Sequence, residues 1–485
     1  MSKRNLTLLT DLYELTMMQG YFYAKDANET VIFDAFYRTN PDGNGFAIAA
    51  GLEQVIEYIE DLHFDPEDID YLRSTGIFKE EFLEYLADFK FTGDIYAVPE
   101  GTVVFPREPL VKVIAPIMQA QLVETALLNI INHQSLIATK TSRIVHAAGG
   151  DGVMEFGLRR AQGPDAGIYG ARAAMIAGCI GTSNVLCGQM FDVPVKGTHA
   201  HSWIMSFPDE LTAFRTYAKL YPSACILLVD TYDTLKSGIP HAIQVFKEMR
   251  EAGIPLTFYG IRMDSGDLAY LSKEAKKMLD AEGFTDAVIS ASNDLDEGLI
   301  SSLKNQGATI NSWGVGTNLI TSKDCPSFGG VYKLAAIKDK ATGKFIPKIK
   351  LSENEEKITN PGNKTIYRIY SRDSHKIIAD LICLVGETYD ENNSLLLFDP
   401  VATWKKTLLA PGTYTMKEIM VPIFKDGTCV YRSPKVMEIR EHCKKELDTL
   451  WDETKRLVNP HEVHVDLSNE LWHMKTRLLD AYHFE

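Results

Sequence analysis

Between about residue 150 and residue 320, short β-rich runs alternate with amphipathic helical stretches, and this alternation constrains the fold more than any other feature. The runs read as strands are Gly152–Phe156, Val195–Thr198, Ile226–Val229, Leu256–Ile261, Ala287–Ser290 and Thr309–Trp313. The helical stretches between them are Pro164–Cys179, Glu210–Leu220, Ile239–Ala252, Leu268–Ala281 and Leu295–Asn305. Such repetition implies a parallel sheet, because parallel neighbours need a long crossover and a helix supplies it. Nearly every strand ends in polar or glycine-rich residues: Leu158-Arg159-Arg160, His199-Ala200-His201-Ser202, Asp230-Thr231-Tyr232-Asp233, Arg262 to Asp267, Ser292-Asn293-Asp294 and Gly314 to Asn318. In a βα barrel such ends converge on one face, whereas an open sheet gathers them at one switch point. The expected architecture is therefore α/β: an irregular parallel βα barrel over residues 151–345, with additions on both sides.

The first 150 residues read as a mixed α/β domain. Helical patterns cover Asp11–Ala24, Leu52–Leu62 and Phe78–Phe89, Val31–Tyr37 reads as a strand, and short β-like runs fill Gly93–Ala115. A long helix is expected over 116–148, which contains no internal proline after Pro116. Residues 346–485 read as C-terminal strands and helices packed on the other domains. Pro347–Arg372 is basic and turn-rich and reads as a hairpin or mobile loop, while Met437–Val458 and Leu467–Ala481 read as helices.

The formal charge of −15 argues against a nucleic-acid partner, since a phosphate backbone would be repelled. Seven cysteines, an odd number with no C-x-x-C pair, argue against a disulfide framework or a structural zinc site and fit reduced thiols in the cytoplasm. No targeting pattern or membrane-length apolar run is present. The P-loop, the dinucleotide G-x-G-x-x-G, H-E-x-x-H and G-x-S-x-G are all missing, so the chemistry falls to the strand ends.

Among these, Asp264 and Asp267 stand three apart where a helix begins, so both carboxylates can face one way and suit ribose hydroxyls or Mg²⁺; a helix cap is the plainer role. Arg262 adds a planar donor for a carboxylate or phosphate. Gly314 to Asn318, with Gly316 and Thr317 at its centre, can expose backbone N–H groups to a phosphate or make a tight turn. Asp230 and Asp233 suit a divalent cation, ribose or a cap. His199 and His201, two apart in an extended segment, would point to one side, as a two-histidine metal site, a nucleophile or a structural pair. Phe156 beside Arg159 and Arg160 suits a flat anionic ring, or is one core ring with two surface arginines.

Taken in order, Thr10 to Thr16, Phe156 to Ala166, Gly181-Thr182-Ser183-Asn184, Gly197 to Ser202, Arg262 to Asp267 and Gly314 to Asn318 resemble the successive motifs of the nicotinate phosphoribosyltransferases. The resemblance extends from Thr10 to about Arg368. The resemblance implies a type II phosphoribosyltransferase fold, a cytoplasmic homodimer with active sites at the subunit interface, and a place in NAD salvage. The implied reaction joins nicotinate to phosphoribosyl pyrophosphate, giving nicotinate mononucleotide and pyrophosphate, with ATP hydrolysis and Mg²⁺. It puts a phosphohistidine on His201 and a pyridine sandwich on Phe156 and a partner's Tyr13. Arg262 and Ser202 would meet the nicotinate carboxylate, with Arg159 nearby. Asp230, Asp264 and Asp267 would serve ribose hydroxyls and Mg²⁺, Gly316 and Thr317 the 5′-phosphate, and Arg38 phosphates across the dimer. Nicotinamide-using relatives carry an aspartate where Ser183 stands, and a carboxylate there would repel nicotinate. The tail from about Lys405 matches no motif, and the zinc-binding cysteine cluster of some relatives is missing.

Overall fold

The computed structural model describes residues 4–24, 28–354 and 357–483. The chain forms two compact units. The first comprises Met1–Leu136, Ser327–Pro434 and Glu441–Glu485; the second comprises Ile137–Pro326 and Lys435–Arg440.

The second unit is built on six parallel strands in the order Gly181–Thr182, Gly152–Glu155, Ser312–Val315, Val288–Ser292, Tyr259–Met263 and Cys225–Leu228. Helices Pro164–Ile176, Glu210–Leu220, Ile239–Glu251, Leu268–Ala281 and Glu297–Asn305 make the crossovers. All four residues of Cys225–Leu228 are buried, as expected of a strand covered on both faces. The fold class expected from the alternation is the one observed. The barrel's irregularity lies at a seam. Val195–Thr198, expected as a strand, forms only an isolated bridge from Val195 to Thr182, held by Thr182 N–H to Pro194 O and Lys196 N–H to Thr182 O. Pro194 has no N–H to extend that ladder, and beyond Lys196 the segment runs on unpaired to Ala200. The last three strands begin one to three residues further along than the apolar runs indicate, which puts Arg262 and Met263 inside a strand rather than after it.

In the first unit, seven antiparallel strands form one sheet in the order Phe345–Pro347, Gly330–Lys338, Thr30–Tyr37, Val111–Pro116, Asp94–Ala97, Val421–Lys425 and Thr428–Cys429. A four-stranded sheet follows, ordered Tyr414–Glu418, Lys364–Ser371, Ile377–Leu384 and His464–Leu467, with a separate hairpin of Leu395–Phe398 and Lys406–Leu409. The expected hairpin or loop over Pro347–Arg372 is corrected here: Lys364–Ser371 is an interior strand. Its basic residues mislead because they are buried and paired, Lys364 with Asp34 at 2.7 Å and Arg368 with Asp380 and Glu446 at 2.6 and 3.0 Å. The helix expected over Met437–Val458 ends at Asp448, and Leu467 closes a strand before the helix Asn469–His483. The long helix expected over 116–148 is two, Ile117–Leu122 and Glu124–Ala148, interrupted at Val123. Among the described residues no helix is long and apolar enough to cross a membrane.

Candidate active site

Consecutive strand ends of the second unit bring His201, Asp230, Thr231, Arg262, Asp264 and Ser292 together. The strand Cys225–Leu228 runs into Val229 and delivers Asp230, whose side chain is only 2 % exposed. Asp230 Oδ2 accepts the Asp264 N–H at 2.8 Å and the Ser265 hydroxyl at 2.7 Å, which ties two neighbouring loops together. Its Oδ1 is buried without a hydrogen-bond partner. Asp264 follows directly on Tyr259–Met263, and Ser292 at the end of the next strand donates to its Oδ1 at 2.6 Å. The turn that follows places Gly266 at φ +82°, the left-handed region that a side chain resists.

His201 opens the short helix His201–Met205, with Ala200 still extended. Its Nδ1 lies 3.1 Å from the Thr231 hydroxyl. Its Nε2 faces Asp230 Oδ1 at 3.8 Å and Asp264 Oδ2 at 3.9 Å. One ring nitrogen is therefore held by a neutral hydroxyl, while the other looks into a gap edged by two carboxylate oxygens. That gap suits a hard divalent cation: two oxygen donors are present, one of them buried and unsatisfied. Among the described residues no three His, Cys, Asp or Glu side chains form a metal cage, so a cation here would take its other ligands from water and phosphate oxygens.

The two histidines do not form a pair. The change from extended chain at Ala200 to helix at His201 breaks the two-residue alternation. His199 turns into the core instead, its ring edge-on to Tyr217 at 4.6 Å and close to Phe214. Burial, with the neighbouring Arg262 charge, lowers its pKa to about 4, so it stays neutral at physiological pH. The two-histidine metal site is excluded by this arrangement.

Arg262 donates through Nη1 to Thr198 Oγ1 at 2.7 Å and through Nη2 to the His199 carbonyl at 2.9 Å, leaving Nε buried and unpartnered. It thereby holds the segment that presents His201. Arg159 is exposed, yet close enough for its charge to oppose that of Arg262. Phe156 follows the strand Gly152–Glu155, its N–H donating to Val315 O at 2.8 Å. Its ring lies where a Cβ on Gly314 would sit, 2.6 Å from the ring's Cδ2, so glycine at 314 lets the ring pack over the backbone. Gly316 and Thr317 lead into the four-residue helix Thr317–Ile320, and Asn318 anchors the turn by donating to Asp294 O and Leu295 O.

Ser183 is half-buried at the end of Gly181–Thr182, its N–H donating to Glu155 O at 3.0 Å, and Ser202 is exposed in the first turn after His201. Asp267 caps the helix Leu268–Ala281 through the Tyr270 N–H at 3.0 Å, the plainer of its two expected roles. Tyr13 and Arg38 belong to the first unit. Tyr13 is 48 % exposed on the helix Leu12–Ala24, and Arg38, just past Thr30–Tyr37, has a buried Nε without a partner.

Three residues here had no role assigned from the sequence: Thr231 and Ser292, which stand in the strand-end runs, and Glu155. Glu155 is buried, accepts from the Thr182 hydroxyl at 2.5 Å and from the Gly157 N–H, and so locks two adjacent strand ends. The only clue in the sequence was position, since all three stand at strand ends.

The chain matches three models of the nicotinate phosphoribosyltransferase (NAPRTase) family: the N-terminal domain over residues 8–132, the family model over 152–369 and the C-terminal domain over 363–475. It is 46 % identical to the nicotinate phosphoribosyltransferase of Bacillus subtilis, over 97 % of this chain and 94 % of that protein. The crystal structure of human nicotinic acid phosphoribosyltransferase superposes with a TM-score of 0.82 at 29 % identity, covering 97 % of this chain and all of that one. A nicotinate-nucleotide pyrophosphorylase from Pyrococcus furiosus shares the fold, at 22 % identity and a TM-score of 0.69 over 93 % and 97 %.

Proposed function

The chain belongs to the nicotinate phosphoribosyltransferase family and acts in NAD salvage as such an enzyme, and from this premise we propose how its strand ends carry the reaction. The observation that carries the reading is His201 with Nδ1 on Thr231 and Nε2 open between Asp230 and Asp264. Thr231 Oγ1 accepts a hydrogen bond from Nδ1–H, which leaves the lone pair on Nε2. Nε2 attacks the γ-phosphorus of ATP; the bond to the bridging oxygen breaks, ADP departs, and water later takes the phosphoryl group as phosphate. A phosphoryl group on Nε2 would stand against two carboxylates, and the repulsion is relieved only by a cation between them. Asp230 Oδ1 and Asp264 Oδ2 would hold that Mg²⁺. When bound, it supplies positive charge against phosphate and pyrophosphate oxygens.

In the transfer step the nicotinate ring nitrogen forms a bond to C1 of the ribose as the bond from C1 to pyrophosphate breaks, the electron pair leaving with pyrophosphate. The pyridine nitrogen is already a nucleophile, so the protein's work is alignment and charge neutralisation. Phe156 offers one face for the ring, and Tyr13 of a partner subunit the other. Leu12, Tyr13 and Met17 are 55, 48 and 38 % exposed along one side of the first helix, an apolar stripe suited to a homodimer contact. Arg38 would reach phosphates across that contact. Arg262 Nε, Ser202 and Arg159 serve the nicotinate carboxylate. Asp264 and Asp267 serve ribose hydroxyls, and Gly316 and Thr317 the 5′-phosphate. Ser183 favours the acid over the amide because it adds no negative charge.

Product analysis with phosphoribosyl pyrophosphate and either nicotinate or nicotinamide tests the substrate choice. We expect a strong preference for nicotinate; comparable kcat/KM for the two would overturn the role given to Ser183.

A further inference from the structure

The first unit contains a cavity of about 310 Å³ in its C-terminal part, a size within the range of small-molecule sites. It lies between the sheet edge formed by His464–Leu467 and the hairpin of Leu395–Phe398 and Lys406–Leu409. The edge strand runs parallel to Ile377–Leu384, with His464 opposite Ala379 and Asp466 opposite Leu381. Registered residues of neighbouring strands share a face, so Asp466 stands beside Leu381 in the core cluster of Ala379, Leu381 and Leu397. An apolar residue belongs at such a position. Asp466 occupies it, only 4 % exposed, its carboxylate taking no hydrogen bond and no ion pair from the described residues, and it lines the cavity.

The neighbouring acids are already engaged. Asp380, on the adjacent strand, pairs with Arg368, and Asp399 accepts the N–H groups of Val401 and Ala402 at 2.9 and 2.8 Å. Asp466 has no such partner, and burial pushes its carboxyl up to about 6, Asp399 adding to the shift and His464 opposing it. A buried carboxylate without a hydrogen-bond donor is matched best by a cationic ligand group. Lys405 and Lys406, both exposed, also line the cavity, and Ile378, Leu397 and Phe398 supply its apolar lining. The lining thus offers one buried carboxylate and two exposed ammonium groups, and a dipolar molecule matches both charges.

We propose that this cavity binds a small zwitterion of the α-amino-acid type, its ammonium on Asp466, its carboxylate toward Lys405 and Lys406, and its side chain on Ile378, Leu397 and Phe398. The site is independent of the catalytic reading. Ligand-observed NMR and calorimetry on the full-length protein test it with L-leucine, leucinamide and 4-methylpentanoate as probes. Leucine should bind saturably, and Asp466→Asn should weaken it by at least about tenfold. The double change Lys405→Ala, Lys406→Ala should weaken leucine several-fold while leaving leucinamide unaffected or tighter. Because Asp466→Asn is isosteric and relieves a buried charge, it should melt no lower than the parent and keep full phosphoribosyl transfer. No saturable leucine binding up to about 10 mM, unchanged binding in Asp466→Asn, or 4-methylpentanoate binding as well as leucine would each overturn the proposal. So would a variant that melts well below the parent, since the carboxylate would then be holding the fold rather than a ligand.

Discussion

Two arginines, Arg368 and Arg262, sit in strands of two different sheets and are used in opposite ways. Arg368 is fully buried and fully paired: Nε and Nη2 meet Asp380, Nη1 meets Glu446 at 3.0 Å, and its guanidinium lies 5.3 Å from the centre of the Phe105 ring. Glu108, also buried, is pushed well above the usual carboxylate range by burial and by Asp380. Arg262 has no carboxylate within hydrogen-bond reach among the described residues; it is spent on a hydroxyl and a carbonyl, and both its Nε and the nearby Asp230 Oδ1 lack partners. A paired buried network contributes rigidity, whereas unpaired polar groups at strand ends are available to a ligand. On this reading the first cluster holds the fold and the second holds substrates.

The largest effect should come from the closed cluster. Arg368→Met leaves Asp380 and Glu446 without their cation and should cost about 3–5 kcal/mol in urea unfolding. Arg262→Met should cost no more than about 1.5 kcal/mol while sharply reducing turnover, and equal losses of stability from the two would break the comparison. Next, Asp230→Asn should lower kcat by about 10²–10³-fold without lowering Tm. A large drop in Tm would mean that Asp230 serves mainly to tie the Asp264-Ser265 loop. Ser183→Asp should reduce kcat/KM for nicotinate by about tenfold, from a like charge placed near the carboxylate; an unchanged value would put Ser183 outside the pocket. The smallest effect expected is from Thr231→Val, a loss of about three- to tenfold in ATP-coupled turnover, with Thr231→Ser restoring it. No change in Thr231→Val would leave the tautomer of His201 to some other group.

The same contrast explains what was legible in the sequence. In the second unit each strand and its helix are neighbours in the chain, so the βα period, the fold class and most of the strand-end residues could be read directly. The first unit joins strands far apart in sequence: Thr30–Tyr37 lies between Val111–Pro116 and Gly330–Lys338. No local pattern records such pairing, and Arg368 passed for a loop cation because its partners lie 12 and 78 residues away. Within the site the histidine run was visible, but the alternation rule put His199 and His201 on one side. The helix beginning at His201 is set by Arg262 gripping Thr198 and His199 from another strand, a tertiary contact that a two-residue period cannot register. Thr231 was read past as part of an acidic run, because a threonine acting as the partner of a histidine has no signature of its own.

The central claim is that His201 Nε2, open between Asp230 and Asp264, takes a phosphoryl group from ATP. Incubation with γ-labelled ATP followed by acid and base treatment tests it most directly. The account predicts an acid-labile, base-stable label in the parent protein and in His199→Ala, and none in His201→Ala, which should retain weak ATP-independent transfer because alignment and charge neutralisation come from other residues. Label that persists in His201→Ala, or that disappears only in His199→Ala, would contradict it.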